Sequence, residues 1–401
     1  MARALLVAVL LAVLVPGAAR AQTIEEQQWH LGELGVHRAH ALSRGDGVLV
    51  AVVDSGVDDT RPDLAGQLLP GTGFGSAAGT DGTEDTDGHG TAMATLIAGR
   101  AVDGGALGVA PGAKVLPVSV GADGENFTLD AVSQGIRWAV DRGAKVINLS
   151  LTSVATLTPD LLRAVNYAFD HDVVVVAGTG NAGEEHVGAP ANIRGVIAVS
   201  GTVPGGGVWP DSNTGPETVL AAPAREIVTA VPLSVSDTGY AAVDGTSAAT
   251  ALVSGAAALV RAAHPELDAG NVVNRLIMSA KDLLDPGRDR ATGYGLVDPV
   301  GALTGDVARV ERNPLAPPPR TSTSAPPAPA VAPPPPVAAA PALPDAGTRA
   351  AVALVGLLLV VLGVLAVCVL LARASRRPRP APPPVTTLPP PSDDFWRPTA
   401  P

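Results

Sequence analysis

The 401-residue chain predicts an α/β fold, a mainly parallel sheet with helices on both faces, together with one separate C-terminal transmembrane helix. Three observations predict it. Short β-branched runs alternate with stretches of helical periodicity. The runs are apolar along their whole length, as strands covered on both sides must be. One uncharged stretch late in the chain is long enough to cross a bilayer.

At the start, Arg3 precedes the apolar run Ala4 to Val15, and Pro16, Gly17 and the small-residue pattern Ala19-Arg20-Ala21 follow. This is the form of a secretory signal peptide over residues 1–21, and its apolar run is too short for a permanent span. Residues 22–45 are a short N-terminal extension, too small to fold independently. Residues 46–312 hold the folded domain. Within it Gly47–Gly56, Ala113–Val120, Ala144–Leu151, Val173–Gly178 and Gly195–Gly201 read as buried strands, and helical segments begin at Thr91, Leu129 and Pro159. In sheets connected this way, sites form at the carboxyl ends of the strands.

Residues 313–349 are Pro- and Ala-rich and almost free of large apolar side chains, so they predict a disordered, semi-rigid spacer. Ala350 to Ala372 is uncharged and would extend roughly 35 Å as a helix. Arg373, Arg376, Arg377 and Arg379 follow at once, which places residues 373–401 as a cytoplasmic tail and the folded domain outside the cell. The expectation is a single-pass cell-membrane protein whose C-terminal helix contacts lipid. Cys368 is the sole cysteine and lies in that helix, so the exported domain must be stable by packing without disulfides.

Composition narrows the function. A formal net charge of −11 argues against nucleic acid as a partner, because phosphate binding needs basic surface. The stretch VVVVAGTGNAG, Val173 to Gly183, contains G-x-G-x-x-G after an apolar run, the dinucleotide fingerprint. The context rejects it. Gly183 leads into EEHVGAPANIRG, which Gly188 and Pro190 break, and the next strand ends in Ser200, Gly201 and Thr202 with no acidic residue for a ribose.

Asn181 gains a role beside three other stretches. Asp54 ends the strand of VAVVDSGVD, His89 opens a helix in DTDGHGTAMATLIAG, and Ser247 follows a glycine-bearing turn into an apolar helix in DGTSAATALVSGAAALV. A serine hydroxyl becomes a nucleophile when an imidazole takes its proton, and the imidazole needs a carboxylate to fix its tautomer. The oxyanion then needs fixed donors, such as the Asn181 amide and the Ser247 backbone N–H. Each residue alone has a duller explanation as a turn, a cap or a left-handed asparagine. The acidic residues Asp58, Asp59, Asp81, Glu84, Asp85 and Asp87 do not follow a calcium-loop pattern and read as a solvated acidic loop, with Asp87 placed to tune the pKa of His89.

The order Asp54, His89, Asn181, Ser247, with these local motifs, closely resembles the subtilisin-like serine proteases. The resemblance covers most of residues 45 to 300 and implies a three-layer sandwich hydrolysing protein or peptide substrates through an acyl-enzyme. It implies that Asp54 orients His89, that His89 is general base and then acid, that Ser247 is the nucleophile and that Asn181 lines the oxyanion hole. Ser150, Leu151 and Thr152 on the substrate-binding strand, with Gly180, are implied to bind substrate. No cofactor is implied beyond a structural calcium ion, which the family often binds. Two stretches depart from the family pattern. Ala251 stands where proline is usual four residues past the nucleophile, and SLTS (Ser150 to Ser153) stands where SLGG is usual; both bear on pocket shape and efficiency.

Signal peptide, short extension, protease domain, Pro-rich spacer and C-terminal helix together resemble the mycosins, membrane-anchored proteases of actinobacterial type VII secretion systems. The segments Trp29 to Val48 and Gly108 to Val120 resemble mycosin sequence too. Mycosins often carry disulfides, and this chain cannot. The resemblance implies type VII secretion components as partners, with two roles open: an active endopeptidase, or a mainly structural subunit of the membrane complex. The short extension is expected to pack along the domain without acting as a lasting inhibitor.

Overall fold

The computed structural model describes residues 22–121, 127–153, 157–284 and 286–316, which belong to one compact unit. The expected signal peptide, nearly all of the spacer, the apolar run Ala350 to Ala372 with Cys368, and the tail lie outside the described residues.

The chain opens with three short helices, α1 (Ile24–Gln27), α2 (Trp29–Glu33) and α3 (Val36–His40). The sheet then takes seven strands: β1 (Leu49–Asp54), β2 (Thr72–Gly73), β3 (Lys114–Ser119), β4 (Val146–Leu149), β5 (Val174–Gly178), β6 (Ile197–Thr202) and β7 (Thr218–Pro223). Their spatial order is β2-β3-β1-β4-β5-β6-β7, and every pairing is parallel. An antiparallel hairpin, β8 (Ile227–Ala230) with β9 (Tyr240–Val243), follows the sheet. The expected strands are all present, with ends displaced by a residue or two. β2 and β7 went unrecognised because one is two residues long and the other, TVLAAP, carries no alternation and ends in proline.

Helices cover both faces. On one, α4 (His89–Ala98) packs against α7 (Thr246–Ala263), and α7 runs beneath β4 to β7. On the other, α5 (Leu129–Asp141) packs against α6 (Pro159–Asp170). The starts of α5 and α6 are set by Thr128 and Thr158, whose hydroxyls accept from Ala131 N and Leu161 N, and Pro159 pre-sets the first turn of α6. Two further helices, α8 (Ala269–Met278) and α9 (Pro299–Thr304), close the domain and are capped by Asp268 and Asp298 in the same way.

Small residues set the distance between layers. A Cβ on Gly135 of α5 would lie 2.9 Å from Val118 Cγ1, and one on Gly255 of α7 would lie 2.6 Å from Val109 Cβ. Among the described residues α7 alone is long and apolar enough to cross a membrane, yet 83% of it is buried inside the domain, where it forms the central core helix.

The N-terminal extension is part of that core. Leu31, Leu34, Val36 and Ala39 are buried in the same apolar cluster as the strands. Gln28 is buried and ties two distant segments together: its Nε2 donates to Leu107 O (3.1 Å) and Val228 O (3.0 Å), and its Oε1 accepts from Leu107 N (2.7 Å). Neighbouring His30 is fully buried, and burial pushes its pKa down to about 3, which keeps the ring neutral. No residue of this segment lines the cleft described below. Leu34→Ala is therefore expected to cost about 3 kcal/mol of stability, a core-sized loss. Denaturant unfolding measures it; a loss below about 0.5 kcal/mol would show that the segment is peripheral.

Candidate active site

The carboxyl ends of β1, β4 and β5 and the amino ends of α4 and α7 converge on one cleft of about 550 Å³. Its walls carry Asp87, His89, Phe127, Ser150, Leu151, Thr152, Gly180, Asn181 and Ser247. Asp54 is the last residue of β1 and lies just behind His89, the first residue of α4. His89 Nδ1 and Asp54 Oδ1 are 2.7 Å apart, and the same oxygen accepts from Ser55 N at 2.8 Å. The contact forms between a buried carboxylate and an imidazole whose side chain is 33% exposed.

That contact requires α4 to reach the chain leaving β1. Gly56 has φ +126°, and a Cβ there would lie 2.0 Å from Glu84 O; one on Gly90 would lie 2.0 Å from Gly56 O. No other residue fits either position without moving backbone. A buried carboxylate fastens the same junction. Asp85 Oδ1 accepts from Ser55 Oγ (2.9 Å) and Gly88 N (2.8 Å), while Oδ2 accepts from Thr91 N (2.9 Å) and from the Thr91 hydroxyl. Asp85 thus departs from the expected solvated acidic loop: four donors hold it inside, 6% exposed. Asp87 remains exposed and accepts from His89 N at 3.1 Å. Among the described residues no three His, Cys, Asp or Glu side chains come together in a set suited to a metal ion.

Burial by itself would lower the His89 pKa, but the charge and hydrogen bond of Asp54 outweigh it. With Asp87 and Asp85 adding to their field, the ring is pushed up to about 9. An imidazole held at Nδ1 by a carboxylate is arranged to exchange a proton at Nε2.

Ser247 is the second residue of α7, so its backbone N–H is among those with no intrahelical partner. Its Oγ donates to Ser150 O at 3.2 Å, and no hydrogen bond joins it to His89. The backbone is held separately: Ser150 Oγ donates to Ser247 O (2.9 Å) while accepting from Asn148 Nδ2 (2.9 Å), and Asn148 Oδ1 accepts from Ser254 Oγ (2.9 Å).

Asn181 has its amide orientation fixed. Its Oδ1 accepts from Thr246 N (2.9 Å) and Thr246 Oγ1 (2.8 Å), which leaves Nδ2 as the group presented beside Gly245 and Ser247 N. A close approach makes this geometry available, because a Cβ on Gly178 at the end of β5 would lie 2.9 Å from Thr246 Oγ1. Thr246 is a site residue that sequence reading missed; its position next to a serine in a helix start was the available signal. Phe127 sits in no recognisable motif, while Asp85, although it opens the DTDGHG stretch, reads as solvated because the fold alone brings Ser55 to it.

Ser150, Leu151, Thr152 and Gly180 all line the cleft. Thr152, in place of the usual glycine, donates to Gly178 O at 2.9 Å and sets its methyl 2.3 Å from where a Cβ on Gly188 would be. Ala251, in place of the usual proline, is wholly buried within the unbroken α7.

A family model described as the subtilase family matches residues 45–295. The chain is a member of the subtilase family. This subtilase is 36% identical over 272 residues to subtilisin BL from Lederbergia lenta, covering 67% of this chain and 96% of that protein. Among solved structures it matches a protease of Pseudoalteromonas arctica at TM-score 0.64 and 26% identity, over 70% of this chain and 98% of the other. The MycP3 protease from the type VII (ESX-3) secretion system matches at TM-score 0.59 and 30% identity, over 69% of this chain and 88% of that one. The subtilase is therefore a subtilisin-like serine endopeptidase, and its substrates are proteins or peptides.

A raised His89 pKa has a kinetic consequence, because only the neutral ring accepts a proton. kcat/KM is expected to rise with pH to a midpoint well above the ordinary imidazole value of 6.5, toward 9. Asp87→Asn removes one of the charges holding the ring protonated and should lower that midpoint while leaving the high-pH plateau within about twofold. Rates measured across pH with a peptide substrate test this; a wild-type midpoint at or below 6.5 would contradict it.

Proposed function

We propose that this subtilase is a membrane-anchored extracytoplasmic endopeptidase of mycosin type that serves a type VII secretion system. In this proposal Ser247 swings about χ1 from Ser150 O toward His89 and attacks the scissile carbonyl, forming an Oγ–carbon bond. His89 takes the hydroxyl proton at Nε2 while Asp54 stabilises the imidazolium. The oxyanion is met by Asn181 Nδ2 and the Ser247 N–H, both fixed before substrate arrives. His89 then protonates the leaving amine, the C–N bond breaks, and water activated by the same ring resolves the acyl-enzyme. Ser150, Leu151, Thr152 and Gly180 bind the acyl side of the substrate.

The membrane role is carried by one pairing. A catalytic domain 30% identical to MycP3 occurs in a chain with the uncharged run Ala350 to Ala372 followed by four arginines within seven residues, Arg373 to Arg379. The apolar run Ala4 to Val15 supports export of the domain. Partners under this reading are secretion-complex membrane components and the lipid around the C-terminal helix. A second reading, a mainly structural subunit, is favoured by the Ser247 hydroxyl resting on Ser150 O instead of His89.

Intact host cells bearing the full chain with a C-terminal tag are the test. Added protease should remove an epitope placed after residue 22 and spare the tag. In a host with a type VII system, Ser247→Ala should leave the membrane complex assembled and abolish processing of a secreted protein. A tag digested from outside would overturn the topology, and unchanged processing would favour the structural subunit.

A further inference from the structure

The segment between β8 and β9, Val231 to Gly239, stands beside the catalytic helix and is not accounted for by the cleft described above. Leu233 is 59% exposed and Val235 is 46% exposed, two large apolar side chains held in water two residues apart. The segment is adjacent to His89: a Cβ on Gly88 would lie 3.0 Å from Val235 Cγ2 and 3.1 Å from Pro232 Cδ.

The tip is built, not loose. Val235 N and Ser236 N both donate to Pro232 O, at 3.0 and 3.1 Å, and Ser236 Oγ donates to Tyr240 O at 2.8 Å. Its base is pinned to the body of the domain. Tyr240 Oη donates to Asp63 Oδ2 at 3.1 Å, and the buried Arg61 guanidinium lies 5.5 Å from the Tyr240 ring centre and directly under Gly239. Apolar side chains presented on a rigid segment keep their exposed area ready for a partner at small ordering cost.

The occupant follows from the chemistry of the neighbouring site. His89 must protonate the leaving amine, so the part of the substrate on the C-terminal side of the cut passes over His89, away from Ser150 to Thr152. At about 3.4 Å per residue of extended chain, the second and third residues past the cut lie roughly 7 to 10 Å from the scissile bond, within reach of the segment that meets Gly88 next to His89. We infer that Leu233 and Val235 form an apolar subsite for the second and third residues on the C-terminal side of the scissile bond. The inference rests on the peptidase activity of this site and is independent of the membrane reading.

Two substrate types tested on the full chain separate these dependences. A chromogenic anilide has an acyl part and no residues past the cut, so it reports the catalytic groups alone. A series of internally quenched peptides, identical up to the cut, varies the second and third following residues among Leu, Phe, Ser, Lys and Asp. The wild type should prefer Leu or Phe over Ser roughly tenfold in kcat/KM. Leu233→Ser with Val235→Ser should remove that preference and leave anilide hydrolysis and Tm unchanged. Leu233→Lys should shift preference toward Asp, which a general loosening of the fold would not do. A wild type indifferent to these positions, or a preference surviving in the double variant, overturns the subsite. A wild type that fails even on the anilide overturns the peptidase activity on which it rests.

Discussion

Everything at the site depends on how closely the chain before α4 approaches the chain leaving β1. Asp54 is delivered by the sheet and His89 by a helix, and a hydrogen bond of 2.7 Å joins them only if two backbones nearly touch. Gly56 and Gly90 permit that approach, and the buried Asp85 carboxylate holds it with four charge-assisted bonds. A buried carboxylate costs several kcal/mol to desolvate unless such donors surround it, so Asp85 is more than a spacer. It fixes the loop that aims His89, and its charge also helps to hold the ring protonated.

The second half of the site obeys the same logic on the other side of the cleft. Gly178 lets α7 come down onto β5, and Thr246 then spends its backbone N–H and its hydroxyl on the carbonyl oxygen of Asn181. The amide nitrogen is left facing Ser247 without any conformational search. Donors set in advance are the form of electrostatic stabilisation that needs no reorganisation during reaction. The relay Ser254, Asn148, Ser150 and Ser247 O holds the Ser247 backbone from the buried core separately from its hydroxyl, which rests on Ser150 O.

Much of this was legible in the sequence because parallel sheets write strong signals. Fully apolar strands such as Val174 to Gly178 cannot be mistaken for surface, and the carboxyl end of each strand marks where chemistry will emerge. Asp54, His89, Asn181 and Ser247 could be named because each sits at such an edge or at a helix start. Asp85 could not, since one carboxylate among several in a Gly- and Thr-rich stretch looks the same buried or solvated until its donors are placed. That the extension packs along the domain was legible, but how deeply it enters the core was not. Three helices of four or five residues give too few turns for periodicity to show, yet Leu31, Leu34 and Val36 join the main core. The Leu233 and Val235 tip was hidden because exposure is a property of the assembled fold.

The central claim is that these residues form a working serine-protease site, and covalent labelling by a fluorophosphonate probe tests it most directly. The full chain should be labelled at Ser247, and labelling should vanish in Ser247→Ala and after heat unfolding. A folded protein that never reacts, or one that reacts equally after Ser247→Ala, would contradict the account.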